Sequence, residues 1–141
     1  MMMRNQTRGM TLIELMIVIA VLGIVVALGY PSYRDQVIKA RRADGMAYLL
    51  DIADREERHY SDTGAYTTTI TELGYTDDLS PEGEHYKATI TSADTSMLYT
   101  ISVAPQGAQA SDTKCGTFTL TSLGDKSVSG SYSADPDKCW K

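Results

Sequence analysis

One carboxylate stands inside an apolar run. From Met10 to Tyr30 the chain reads MTLIELMIVIAVLGIVVALGY, with Glu14 as its single charged residue. A charge costs roughly 2.5–3.5 kcal/mol at the centre of a membrane-spanning helix, so residues of this kind mark function. Glu14 lies near the N-terminal end of the run, where the cost is smaller, yet anchoring alone gives it no purpose. A cut after Gly9 would leave Met10 with a free amine four residues before Glu14. That amine would be a cationic partner for the carboxylate, in the same chain or in a neighbour. The chemistry on offer is charge pairing in an apolar medium.

Other reactive side chains are sparse. His59 and His85 are the only histidines, and neither has a Cys, Asp or Glu at a spacing that suggests a metal site. Cys115 and Cys139 lack C-x-x-C spacing, which leaves a disulfide or two free buried thiols. If joined, they would close a loop of roughly 25 residues, worth on the order of 3 kcal/mol. Asp77, Asp78, Glu82 and Glu84 could hold calcium, but they fit no EF-hand spacing and read as a solvated loop. The chain shows no nucleophile elbow, zinc-protease helix, phosphate-binding loop or dinucleotide glycine pattern. The sequence therefore predicts no enzymatic activity, no cofactor and no metal.

The elements that must position these groups follow from length and pattern. The 141 residues allow one modest domain. As a helix, about 20 apolar residues span a ~30 Å hydrocarbon core, and residues 10–31 meet that length. Hydropathy alone also permits a plain signal anchor. A removable secretory signal, with Arg4 and Arg8 as its basic start and Ala27 to Gly29 as its cleavage site, would have too long an apolar region and a carboxylate within it. Arg4 and Arg8 favour a cytoplasmic N-terminus, whereas Arg34, Lys39, Arg41 and Arg42 follow the run closely and oppose it. Pro31 lacks an N–H and should kink or locally open the helix, which Gly23 and Gly29 already weaken.

Beyond Pro31 a helical pattern covers 32–60. Val37, Ile38, Met46, Leu49, Leu50, Ala53 and Tyr60 recur at three- and four-residue steps and read as a face packed on a sheet. Residues 61–84 contain six acids and no base, punctuated by Gly, Pro and Asp, and read as a connecting loop. Alternation then predicts three or four antiparallel strands within 85–130. Their inward residues are Tyr86, Ala88 and Ile90, then Tyr99, Ile101 and Val103, then Phe118 and Leu120. From Ala43 onward the chain has 7 basic and 16 acidic residues, a balance of −9 within a whole-chain charge of −5. Such a domain has no electrostatic reason to hold nucleic acid, which is not an expected partner. The cluster Arg34, Lys39, Arg41 and Arg42 could touch phosphate, but it lies beside Asp35 and Asp44 and reads more simply as a juxtamembrane or inter-subunit charge set.

Gly9 followed by MTLIEL, with Glu14 fifth and Pro31 twenty-second after the cut, resembles the signal of type IV pilins. The stretches KARRADGMAYLLDIADREERHYSDTGAYT and YTISVAP to CW are similar to type IVa pilins, most of all to PilE-type minor pilins. The resemblance implies an α+β pilin fold, in which one long N-terminal helix packs on a 3–4-stranded antiparallel sheet with a C-terminal disulfide loop. It implies a leader, 1–9, removed by prepilin peptidase after Gly9, and a transmembrane and assembly helix, 10–31. A periplasmic domain, 32–141, would comprise helix 32–60, loop 61–84, sheet 85–130 and disulfide loop 115–139. Met10 would be the N-methylated new N-terminus, although most pilins have Phe there. Glu14 and Pro31 would serve assembly, and Cys115 and Cys139 would be joined.

The same resemblance implies a minor pilin that primes or joins a type IV pilus and supports twitching motility and adhesion. Its partners would be other pilins, the prepilin peptidase, the inner-membrane assembly machinery and the inner membrane itself, and its final place the extracellular pilus. A DNA-uptake or adhesive receptor pilin, a major pilin and a type II secretion pseudopilin are the alternatives. The cysteine pair speaks against the last of these.

Overall fold

The computed structural model describes residues 9–140. Arg4 and Arg8, and with them the leader up to residue 8, lie outside the described residues. The chain divides into two compact units, one up to Val37 and one from Ile38.

In the first unit, helix α1 (Leu12–Thr63) begins just after Thr11, and every side chain from Leu12 to Gln36 is exposed. This stretch is long and apolar enough to cross a bilayer. The helix is unbroken through Gly23, Gly29 and Pro31, so the expected local opening at the proline does not occur. The hydrogen bonds on either side carry the helix past the bond that the proline forfeits.

In the second unit α1 becomes one-sided. Gly45, Tyr48, Leu49, Ile52 and Glu56 are buried, a stripe at three- and four-residue steps. Leu50, expected on the covered face, is 49% exposed. Each residue turns the helix by about 100°, so the stripe centred on Leu49 carries Leu50 away from the sheet. The helix ends at Thr63 rather than near 60, where Gly64 (φ 79°) donates its N–H to the Tyr60 carbonyl at 2.8 Å.

Four strands follow as an antiparallel meander, in the order β1 (Tyr86–Thr91), β2 (Thr100–Pro105), β3 (Phe118–Thr121) and β4 (Lys126–Val128). The register pairs Ala88 with Val103, Ile101 with Leu120, and Phe118 with Val128. Every side chain predicted to point inward from the first three strands is buried. These residues meet Tyr48, Leu49 and Ile52 from the helix in one core. Gly45 sets how closely helix and sheet approach, because a Cβ there would lie 2.7 Å from the Tyr86 ring. The loop between helix and sheet holds a short 3-10 helix (Ile70–Leu73) and one bridge, Leu79 to Lys87.

Cys115 and Cys139 form a disulfide with Cα atoms 5.9 Å apart, both residues buried. The chain passes tightly beside it, since a Cβ on Gly130 would fall 2.3 Å from the Lys114 carbonyl oxygen. Trp140 packs edge-on against Phe118 at 5.4 Å and closes this end of the core.

Candidate functional site

At the start of α1, Thr11 and Glu14 hold each other. The Glu14 N–H donates to Thr11 Oγ1 at 3.3 Å, and the Thr11 N–H donates to Glu14 Oε2 at 3.5 Å. This is a capping box, which satisfies two backbone donors that a helix start leaves free. In an apolar medium such donors have no water to turn to, and the partial positive charge of the helix start favours the carboxylate. Glu14 Oε1 makes no hydrogen bond among the described residues. Gly9, Met10, Thr11 and Glu14 line one open cavity, so the structure brings together three of the residues singled out from sequence. Pro31, seventeen residues further along the same helix, is not part of it. Thr-x-x-Glu ahead of an apolar run is the local signal that announces this cap.

The second unit contains a clamp that no local pattern of residues announces. Arg42 grips Asp112 with two hydrogen bonds, Nε to Oδ2 at 2.6 Å and Nη2 to Oδ1 at 2.7 Å, and both side chains are largely buried. Asp112 Oδ1 also accepts the N–H groups of Lys114 and Cys115 at 3.2 and 3.3 Å. Burial alone would raise the Asp112 carboxyl, but hydrogen bonds from Arg42 and the Cys115 backbone outweigh it and hold the group below its ordinary 3.8. Arg42 is therefore committed inside the domain and is not a free member of the basic cluster near Pro31. Beside it, Gln109 Nε2 donates to the Ile38 carbonyl at 3.2 Å and to the Tyr86 hydroxyl at 3.0 Å.

Around the disulfide loop, cations and rings alternate. Lys126 Nζ sits 5.1 Å from the centre of the Trp140 ring, and Lys138 Nζ 5.4 Å from that of Tyr132. The acidic loop does not assemble a calcium cage. Asp77 Oδ1 accepts the Leu79 N–H at 2.9 Å, and Asp78 pairs with Lys87 at 3.2 Å. Among the described residues no group of three or more His, Cys, Asp or Glu is placed to hold a metal. Glu56 is fully buried, with Oε2 accepting the Thr67 N–H at 3.1 Å and Oε1 unpaired. Burial pushes its carboxyl above the ordinary value, against the pull of the Thr67 bond.

Comparison with known proteins agrees with this layout. Residues 31–119 match the family described as type IV minor pilin ComP, DNA uptake sequence receptor, and residues 4–30 match the prokaryotic N-terminal methylation motif. The fimbrial protein EcpC of Eikenella corrodens is 35% identical over 65 residues, which are 46% of this chain and 42% of EcpC. The type IV major pilin protein PilE of Neisseria gonorrhoeae is 31% identical over 85 residues, 60% of this chain and 51% of PilE. The chain thus spans about half the length of these curated relatives. The solved structure of the Neisseria meningitidis non-core minor pilin PilV has the same fold, with a TM-score of 0.52 at 20% identity over 68% of this chain and 90% of PilV. The pilin family model covers more than half of the chain and the methylation motif precedes it, so this chain belongs to the type IV pilins.

Proposed function

We propose that the chain is a minor subunit of a type IV pilus, cut after Gly9, N-methylated at Met10, and joined to the filament through its N-terminal helix. The observation that carries this reading is the capping box. Thr11 claims only Oε2 of Glu14, Oε1 makes no hydrogen bond among the described residues, and Glu14 and Met10 line the same cavity. A new amine on Met10, or the amine of a neighbouring subunit, is a cation that this oxygen can take. In a bundle of apolar helices an unpaired charge is costly and a matched pair recovers much of that cost. Pairing would fix axial register, which a featureless apolar helix cannot do.

Before assembly the helix would sit in the inner membrane with residues 32–141 in the periplasm, where an oxidising environment suits the disulfide. Prepilin peptidase, the inner-membrane machinery and other pilins would act on it there, and twitching motility and adhesion would follow at the level of the filament. Glu14→Gln is the test. Glutamine keeps an oxygen for the Thr11 N–H, so the cap persists while the charge is lost. The variant should insert, be cleaved and fold, yet be depleted from sheared pili when expressed beside the wild-type major pilin. Normal recovery would overturn the role of the carboxylate. Mass spectrometry of the same pili should find the wild-type chain at a small fraction of the major subunit; equal amounts would make it a major pilin.

A second reading, a DNA-uptake receptor, is favoured by the description of the family matched over residues 31–119. Lys126 over Trp140 and Lys138 over Tyr132 are cation–ring pairs of the kind that contact phosphates and bases. The acidic balance of the domain opposes it. A salt titration of DNA binding decides: a receptor binds with a steep negative salt slope, and absence of binding at low salt ends this reading.

A further inference from the structure

Two open cavities flank α1 in the second unit, and their linings carry opposite charge. Lys39, Arg42, Ala43 and Met46 share one flank of the helix and meet Lys138 and Cys139 around a cavity of about 340 Å³ with no acid in its lining. On the other flank Asp44, Ala47 and Asp51 meet Pro81 and Glu82 around a cavity of about 390 Å³ with no base in its lining. At about 100° per residue these two rows lie roughly 120° apart, one on each side of the stripe that the sheet covers. Among the described residues Lys39 makes no side-chain hydrogen bond or ion pair, and Arg42 keeps Nη1 free beyond its grip on Asp112. Lys138 reaches Asp135 at 3.0 Å, with both side chains about half exposed.

A second observation concerns how the acids of the other flank are presented. Pro81 to Glu84 are all exposed, yet the turn is pinned at its base. Ser80, buried there, donates its N–H to the Tyr86 carbonyl at 2.8 Å and accepts the Tyr86 N–H on Oγ at 3.1 Å. Glu84 donates its N–H to the Ser80 carbonyl at 3.1 Å and sits at φ 54°, a left-handed conformation that residues with side chains seldom adopt. The turn is a fixed projection, so docking it costs little ordering. At its end Glu82 and Glu84 make no side-chain hydrogen bond or ion pair among the described residues.

The basic lining selects its occupant by chemistry. Lys39, Lys138 and the free edge of Arg42 offer N–H donors to a carboxylate, and Ala43 and Met46 add apolar surface for the short stem behind it. We propose that this cavity receives the Pro81–Glu84 turn of a second copy of the chain, so that adjacent copies meet head to tail. Charge complementarity carries the choice, since the carboxylates that the basic flank lacks are those that the opposite flank leaves unpaired. A contact between two different surfaces leaves one of each free on every pair, so it repeats without closing on itself. Exposed ion pairs are weak singly, so this contact decides which flanks meet, while the apolar helices hold the copies together. It needs only two neighbouring copies and does not rest on the chain's being a minor or a major subunit.

The test reconstitutes the full chain in phosphatidylcholine vesicles as an equal mixture of unlabelled and isotopically heavy protein, treated with a water-soluble carbodiimide. Mass spectrometry should find couplings of Lys39 or Lys138 to Glu82 or Glu84 that join one light and one heavy chain. Lys39→Glu changes a side chain that holds nothing in the fold, and should lower the Lys138 coupling about three- to fivefold. Roughly 1 M sodium chloride, which screens exposed charges, should do the same. Light Lys39→Glu chain mixed with heavy chain carrying Glu82→Lys and Glu84→Lys should couple again, between position 39 and position 82 or 84 with the polarity reversed. Couplings confined within single chains, an unchanged Lys138 yield in Lys39→Glu, or no coupling in the swapped mixture would overturn the proposal. Absence of light–heavy couplings together with protection of Lys39 from amine labelling by a DNA duplex would assign the cavity to phosphate instead.

Discussion

From Leu12 to Tyr30, α1 carries apolar side chains on all sides and the described residues cover none of them; from Gly45 onward the helix carries one stripe, and the sheet covers that stripe. Burial of apolar surface is worth roughly 25 cal/mol per Å², so the two stretches stand in opposite energetic positions. The second has already collected that stabilisation within the domain. The first can collect it only from lipid or from other helices. Their carboxylates differ in the same way. Glu56 is enclosed and held by Thr67, and its second oxygen is sealed in, whereas Glu14 keeps its second oxygen open at an exposed helix start. The stripe is covered within the domain, and the N-terminal segment is uncovered among the described residues.

This contrast can be broken at several points. The largest effect is expected at Gly9, which belongs to the segment alone. Gly9→Val should block processing entirely, because a side chain there crowds the peptidase cleft, and should leave the melting temperature of the domain unchanged. Intact mass and thermal unfolding check the two halves; a wild-type chain beginning at Met1 or at Tyr30 would contradict cleavage after Gly9. Within the domain, Leu49→Asp places an unpaired carboxylate in the core and should cost about 4 kcal/mol or more, while Leu50→Asp should cost about 1 kcal/mol or less. Urea midpoints of the pair measure how sharply the covered stripe ends.

Arg42→Met leaves Asp112 buried without its partner and should cost about 3 kcal/mol near neutral pH. Asp112 has a depressed folded value, so its contribution is present above the unfolded 3.8 and is lost as pH falls through the lower folded value. The gap between variant and wild type should therefore narrow in acid, and a constant gap would show that the clamp is not electrostatic. Cys139→Ser should cost about 3 kcal/mol through the loop it opens, measured as a shift in urea midpoint that reduction of the wild type reproduces. The smallest effect concerns Glu56. Its folded value is raised, so the stability it contributes is complete below the unfolded 4.5 and is lost as pH rises through the folded value. Glu56→Gln should remove that downward slope from the pH dependence of melting.

Strands were legible because period-two alternation states which side is covered, and each inward residue from Tyr86 to Leu120 is where alternation puts it. The helix was legible as an element but not in its facing. Three- and four-residue steps admit both Leu49 and Leu50, and only packing against Tyr86, at the spacing Gly45 permits, chooses between them. Tyr48 and Glu56 escape the apolar pattern for the same reason, since neither is apolar enough to mark the stripe. Arg42 and Asp112 lie 70 residues apart, and no local pattern couples them. At the N-terminus Glu14 stands out as a carboxylate within an apolar run, Gly9 and Met10 stand out only through the resemblance to type IV pilins, and Thr11, whose hydroxyl and N–H complete the cap, is legible only as the first residue of Thr-x-x-Glu.

The disulfide also fixes how far this chain can be drawn out. Pulled from its two ends, a denatured polypeptide lengthens by at most about 3.5 Å per residue. The bond between Cys115 and Cys139 short-circuits a sequence separation of 24 residues, which withholds about 80 Å of contour from any stretching force. A load that reaches Cys139 from its C-terminal side is handed through the bond to Cys115, just ahead of β3, and the hairpin between the cysteines does not carry it.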